Sequence, residues 1–341
     1  MSAVRVLVVD DSPLCRAAVR VALEEVPGFE PIAEARDGRA AVELTERLRP
    51  DVVVMDVHMP RMNGLDAVEQ IMARAPTPIL VLSGDPAARS GALAYEALRR
   101  GAIDLLAKDE LARSHESRAI LRDRLRFLAT VPVVRHLSPR GERLPAPPRA
   151  RGRAELVAVV ASTGGPAALA EILRALPPGF EAPLLIVQHL RPSFVDGLAA
   201  WLDAASPLRV AVARRGQAVA PGLALLAPDG AHLELGRDGR VELRPASDAS
   251  THCPSGDALL RSVARSAGPR ALGVVLTGMG SDGAEGLCEL RRAGGETLVQ
   301  DEASSVVHGM PRAARALDPA HPTAPLGAIA QALVDACGGR R

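Results

Sequence analysis

Leu156-Val157-Ala158-Val159-Val160-Ala161-Ser162-Thr163-Gly164-Gly165-Pro166 is the stretch on which the fold turns. Six apolar residues in a row, three of them valine, read as a buried strand, and the Gly-Gly-Pro that follows breaks it. Leu169, Ile172, Leu173 and Leu176 then recur at the three-and-four spacing of one helix face. The glycines allow a sharp reversal, and Pro166 suits the first helical turn, where its missing N–H costs nothing. The stretch is therefore a strand, a tight turn and a helix, with Ser162 held on the turn close to a helix N-terminus. Such a place serves a nucleophile and the anion it generates. Taken alone, such a glycine-rich turn more often cradles a phosphate or only reverses the chain.

The same alternation extends both ways. Residues 1 to 126 carry strand candidates at Arg5–Val9, Asp51–Met55, Ile79–Leu82 and Ile103–Ala107, with helical patterns between them. That predicts a doubly wound parallel sheet. Residues 127 to 153 lose the pattern and collect Pro132, Pro139, Pro145, Pro147 and Pro148 among arginines, the composition of a semi-extended linker. A second alternating region runs from 154 to 341. The expected fold class is α/β: a flavodoxin-like first domain, and a Rossmann-like second domain with a mainly parallel sheet.

Composition excludes several functions. A net charge of +1 argues against a nucleic-acid surface, and 2% aromatic residues leave no base-stacking platform. The four cysteines, Cys15, Cys253, Cys288 and Cys337, have no paired spacing, as expected of reduced cytosolic thiols. The chain starts straight into a strand pattern and lacks an apolar run of membrane-spanning length, so a cytoplasmic protein without membrane insertion is expected.

In the first region Asp10 and Asp11, Asp56, Ser83 and Lys108 each follow a strand candidate. The carboxyl ends of an open parallel sheet line one crevice, so these residues should meet. Singly, each aspartate is as good a turn residue or helix cap. Together, three carboxylates call for a hard divalent cation such as Mg²⁺. Asp56 could then attack a phosphoryl group whose oxygens Ser83 and Lys108 receive. Lys108 is also the only lysine of a chain with 41 basic residues, a compact ammonium kept where a point charge suits phosphate.

In the second region Pro183–Val187 ends in Gln188-His189, and Leu272–Leu276 opens into Thr277-Gly278-Met279-Gly280-Ser281-Asp282-Gly283. Ser162, His189 and Asp282 thus share one sheet edge. His189 can take the hydroxyl proton, and Asp282 can orient the imidazole and stabilise its cation. Glycines around Met279 let backbone N–H groups approach an oxyanion. Separately, His189 could be a satisfied histidine and Asp282 a cap of the next helix.

The first region resembles the receiver domain of two-component response regulators through Asp10-Asp11-Ser12, Asp56-Val57-His58-Met59-Pro60, Asn63-Gly64, Ser83-Gly84 and Gly101-Ala102. The second resembles the catalytic domain of chemotaxis protein-glutamate methylesterases. The matching runs are Ala161 to Gly165, Gln188-His189, Leu276 to Ala284, Glu302 to Ser305 and Gly309-Met310-Pro311. The resemblance implies a phosphoacceptor at Asp56, phosphoryl sensing by Ser83 and Lys108, and Mg²⁺ held by Asp10, Asp11, Asp56 and the His58 carbonyl. It implies Ser162 as nucleophile, His189 as base and acid, Asp282 as orienting carboxylate, and Thr163 and Met279 at the oxyanion or substrate. The hydrolase itself would need no cofactor. The implied substrates are γ-glutamyl methyl esters and particular glutamines of chemoreceptor cytoplasmic domains. A histidine kinase would supply the phosphoryl group, and the first domain would cover the catalytic edge until Asp56 carries it. A monomer is the expected state, with no nucleic-acid partner.

Four departures stand out. Asp109 follows Lys108 where the family places proline, so a trans bond and a re-routed loop are expected. Leu105 replaces the usual switching aromatic. Val160 stands where a glycine is usual, and His252-Cys253-Pro254-Ser255-Gly256-Asp257 has lost the family's arginine and valine at 253 and 256. The last change is expected to bear on substrate-edge contacts or packing. Two other functions fit less well: a phosphorylation-controlled binding protein without hydrolase activity, which the intact triad opposes, and a DNA-binding regulator, which the length and strand content of the second region oppose.

Overall fold

A computed structural model of the chain describes residues 3–84, 95–108, 115–131, 154–190, 194–246 and 252–338. Asp109, Arg191-Pro192 and linker residues 132–153 lie outside these, and with them the expectation about the bond after Lys108. The chain divides into two compact units, Met1–Pro139 and Arg140–Arg341.

Among the described residues the first unit holds five strands, β1 (Val4–Val9), β2 (Phe29–Ala35), β3 (Val52–Asp56), β4 (Ile79–Ser83) and β5 (Asp104–Ala107). They lie in the order β2-β1-β3-β4-β5, and every pair is parallel. This is the flavodoxin-like order, whose reversal point lies between β1 and β3. Asp10 follows β1 and Asp56 ends β3, so both stand at the crevice that such a reversal opens. β3 and β4 are buried along their whole length, which is why they read as unbroken apolar runs. Helix starts follow local chemistry. The Ser12 hydroxyl accepts the Cys15 amide before the helix Pro13–Glu24, and the Asn63 side chain accepts the Asp66 amide at 2.9 Å before Gly64–Arg74.

β2 was not among the strands expected from sequence. It lies at the sheet edge, is mostly half-exposed, and contains Pro31. Its register against β1 slips after Val6, which pairs with Pro31, to Leu7, which pairs with Ala33. A proline is tolerated at an edge or a bulge, and here it has both.

The second unit carries a seven-stranded parallel sheet in the order β14-β13-β12-β6-β7-β9-β8. Its strands are β6 (Leu156–Ala161), β7 (Leu184–Gln188), β8 (Arg209–Val212), β9 (Leu223–Leu226), β12 (Ala271–Val275), β13 (Glu296–Gln300) and β14 (Thr323–Ala324). An antiparallel hairpin, β10 (Ala231–Leu235) with β11 (Val241–Pro245), stands apart from it. From β6 the chain builds outward through β7, then returns to β12 on the other side, so the order reverses between β6 and β12. Val160 pairs with Val275 there, and Ala161 pairs with Gln188 across β7. The residues just beyond these partners are Ser162, Leu276 and His189. Adjacent strands run about 4.8 Å apart, so topology alone brings the three loops together.

Candidate active site

Ser162 leaves β6 on a turn that is tied down on both sides. Its amide donates to the Thr277 carbonyl at 3.0 Å, and its carbonyl accepts Gly165 N at 2.8 Å and Gln188 Nε2 at 2.8 Å. Gly164 then turns at φ +79°, a conformation that favours glycine, and the helix Gly165–Ala175 begins. A side chain at Gly165 would overlap Gln188 Oε1 and lie 2.8 Å from Ala161 Cβ. The pair of glycines noticed in the sequence therefore has two separate causes, a backbone conformation and a close approach by Gln188.

His189 follows β7, and its amide donates to the Ala161 carbonyl at 3.0 Å. Its ring Nε2 lies 2.7 Å from Asp282 Oδ2, which leaves Nδ1 as the second ring nitrogen for proton exchange. The exposed His252 stacks on this ring, with centroids 5.0 Å apart and planes inclined by 17°.

Asp282 does not cap the helix after it. That helix, Ala284–Arg292, has Gly283 at its cap position and no side-chain cap bond. The carboxylate instead receives the N-terminus of a different helix, Gly256–Ser266. Gly256 N lies 2.6 Å from Oδ2, while Asp257 N and Ser255 Oγ lie 3.0 and 2.9 Å from Oδ1. Burial pushes this carboxyl up, but the His189 contact and the Asp257 and Gly256 amides outweigh it and hold it well below the usual carboxylate range. Hydrogen bonds to a charged group contribute roughly 1.5–3 kcal/mol each, and the charged form collects four of them here. Segment 252–257, expected to affect substrate-edge contacts or packing, thus does something more central: its helix end seats the carboxylate.

The loop after β12 completes the floor. Thr277, fully buried, accepts Val307 N on Oγ1 at 2.8 Å and places Oγ1 3.0 Å from the Thr163 carbonyl, while its amide donates to Gln300 Oε1. A side chain at Gly278 would overlap Met310 Sδ and lie 2.8 Å from Ser162 Cβ. Among the described residues neither the Thr163 nor the Met279 amide has a hydrogen-bond acceptor. Both are thus free to donate at the turn and the loop where an oxyanion would form. Sequence reasoning overlooked Gln188, Thr277, Gln300 and the role of Ser255–Asp257. Only Ser255 carried a local signal, that of an N-cap.

The first unit has its own polar cluster. Asp10 and Asp56 are almost fully buried, Asp11 is exposed, and each can offer an oxygen within 4.8 Å of the others. Lys108 Nζ bridges Asp10 Oδ2 and Asp56 Oδ2 at 2.8 Å each. Burial raises the Asp56 carboxyl and the Asp10 charge adds to this, against the opposing pull of Lys108. The Lys108 ammonium is disfavoured by its own burial, but the two carboxylates win and raise it. Ser83 Oγ is buried without a hydrogen-bond partner. The His58 amide donates to Asp56 Oδ1 at 3.2 Å. Oxygen ligands at this spacing, short of positive charge, fit a hard divalent cation. Leu105, in the place of the family's aromatic, is buried in β5.

Comparison with known proteins follows the same division. Residues 6–117 match the response regulator receiver domain, and residues 157–333 match the CheB methylesterase family. The chain is 47% identical over 331 residues to protein-glutamate methylesterase/protein-glutamine glutaminase 2 of Anaeromyxobacter dehalogenans, covering 97% of this chain and 96% of that one. It is 41% identical to protein-glutamate methylesterase/protein-glutamine glutaminase 3 of Myxococcus xanthus, over 98% of this chain and 94% of the other. Among solved structures, the Thermotoga maritima CheB methylesterase catalytic domain superposes with a TM-score of 0.51 at 34% identity, covering 53% of this chain and 98% of that domain.

Proposed function

The chain belongs to the CheB methylesterase family, and from that premise we propose that Ser162 is the nucleophile of a receiver-controlled protein-glutamate methylesterase and protein-glutamine glutaminase. The observation that carries this assignment is the 2.7 Å contact of His189 Nε2 with an Asp282 seated on four donors.

In the proposed reaction, Ser162 Oγ attacks the carbonyl of a γ-glutamyl methyl ester while His189 Nδ1 takes the hydroxyl proton. The Asp282 carboxylate compensates the imidazolium, and the Thr163 and Met279 amides receive the developing oxyanion. His189 then returns the proton to the departing methoxide, so methanol leaves and an acyl-enzyme remains. A water, deprotonated by His189, attacks the acyl carbon and releases glutamate and the serine hydroxyl. With glutamine the same sequence releases ammonia.

The receiver is assigned control of this activity. Asp56 accepts a phosphoryl group from a histidine kinase, and Ser83 and Lys108 bind its oxygens. Asp10, Asp11, Asp56 and the His58 carbonyl would hold Mg²⁺, which when bound supplies charge neutralisation for that transfer. Chemoreceptor cytoplasmic domains are the assigned substrate, residues 127–153 the linker, the cytoplasm the place of action and a monomer the working state. No helix among the described residues is long and apolar enough to cross a membrane.

The assignment is tested with a fluorophosphonate probe and peptide mass spectrometry. The adduct should fall on Ser162, vanish in Ser162→Ala and form slowly in His189→Ala. An adduct on another residue would overturn it.

A further inference from the structure

Val160 and Gly256 lie 96 positions apart and meet directly beside the seat of Asp282. Val160 is fully buried in β6, two residues before Ser162. A Cβ built on Gly256 would overlap Val160 Cγ1 and lie 2.9 Å from Cγ2 and 3.1 Å from Cβ. The same valine faces Gly283, the residue after Asp282, where a Cβ would lie 3.2 Å from Val160 Cγ1. Its isopropyl group is thus wedged between a backbone amide that donates to Asp282 and the backbone that carries Asp282. The Gly256 amide makes the shortest of the contacts to that carboxylate, 2.6 Å. Gly256 does not adopt a left-handed conformation, so glycine is required there by space and not by φ.

We propose that Val160 and Gly256 form a coupled positioning pair, in which the valine side chain fills the volume denied to residue 256 and thereby sets how closely the helix Gly256–Ser266 approaches Asp282. Neither residue touches substrate. Their effect passes through the carboxylate to the aim of the His189 ring. A misplacement of the order of 1 Å at such a site costs roughly 100-fold in rate. The packing is tight enough to produce one, because a methyl group added at Gly256 must push the helix end or the valine away. The pair also accounts for two departures noted in the sequence: side-chain volume absent at 256 is present at 160.

The inference rests on Asp282 as the orienting carboxylate, and Asp282→Asn tests that assignment separately. For the pair itself, Gly256→Ala, Val160→Ala and the double variant are compared for kcat, KM and the pH dependence of kcat/KM, with circular dichroism melting as the folding control. Gly256→Ala is expected to lower kcat about 100-fold with little change in KM, and to shift the acid limb of the kcat/KM profile. Val160→Ala removes the methyls that block the new side chain. The double variant should therefore regain kcat to within about tenfold of the unaltered protein and restore the acid limb.

If Gly256→Ala is too unstable to assay, the activity of the double variant decides. Wild-type kinetics in Gly256→Ala, a double variant no better than Gly256→Ala, or losses that follow melting temperature with an unmoved acid limb would each overturn the proposal. A simultaneous loss of effect in Asp282→Asn would instead indict the triad.

Discussion

His189 meets Asp282 through Nε2, at 2.7 Å, which leaves Nδ1 as the ring nitrogen for the proposed nucleophile, Ser162. In the familiar serine triad the ring is used the other way round, with Nδ1 on the carboxylate. The roles are unaffected by this reversal, because either nitrogen can carry the proton once the other is fixed. What matters is that the carboxylate is held from both sides. Three donors from one helix end hold it, and the ring is the fourth.

Replacing Asp282 by Asn keeps the shape but removes the charge and puts an amide N–H₂ against these donors. We expect kcat for methyl-ester hydrolysis to fall by about 10³–10⁴ with a small change in KM, measured on a methylated peptide. A loss below tenfold would remove Asp282 from the mechanism.

Asp282 also couples stability to pH. Its folded-state carboxyl is held well below the usual carboxylate range by the His189 contact and the helix-end amides, against the opposing effect of burial. A depressed acid contributes stability that is fully present above its unfolded value and is lost as pH falls through the folded one. The melting temperature of Asp282→Asn should therefore lie below that of the unaltered chain at pH 7, and the gap should narrow once pH drops below about 4. A gap independent of pH would mean that the substitution acts through packing.

Ser255 contributes one donor of four, at 2.9 Å. Its hydroxyl also accepts the Ala258 amide as the cap of the helix. Ser255→Ala is expected to reduce kcat about tenfold and to lower stability by about 1 kcal/mol, read from turnover and urea denaturation. Ser255→Thr, which retains the hydroxyl, should recover most of both.

In the receiver, Lys108 already lies 2.8 Å from Asp10 and from Asp56, so a divalent cation must share the carboxylates with it. Mg²⁺ at about 100 times its Kd should stabilise the folded chain by about 2.7 kcal/mol. Scanning calorimetry should show that shift and its loss in a variant carrying Asp10→Asn and Asp11→Asn. With Mg²⁺ present, an acyl-phosphate donor should raise methylesterase activity in the unaltered chain and leave Asp56→Asn unchanged. Equal activation of Asp56→Asn would place the control elsewhere.

Much of this was legible in the sequence, for identifiable reasons. β3, β4, β6, β7 and β12 are buried on both faces and so announce themselves as apolar runs, and parallel order then assembles their carboxyl ends. Ser162, His189, Asp282 and Asp56 were readable because each ends or follows such a run. β2 was missed because an edge strand with Pro31 carries neither a full apolar run nor clean alternation. The hairpin β10–β11 was missed because its strands are short and belong to no βαβ alternation. The seat of Asp282 was hidden for another reason. Gly256 and Asp257 act through backbone amides, which leave no residue signature, Ser255 acts through a hydroxyl that reads only as an N-cap, and all three lie more than two dozen positions away. Val160 and Gly256 lie 96 positions apart in the chain, so only the fold makes them neighbours.

The central claim is that Ser162 performs the hydrolysis. The direct measurement is methanol release from methylated receptor membranes by the full chain and by Ser162→Ala, at equal concentration and with Mg²⁺ and an acyl-phosphate donor. The account predicts release that falls by roughly four orders of magnitude or more in the variant, to the level of membranes alone. Equal release by the two proteins would contradict it.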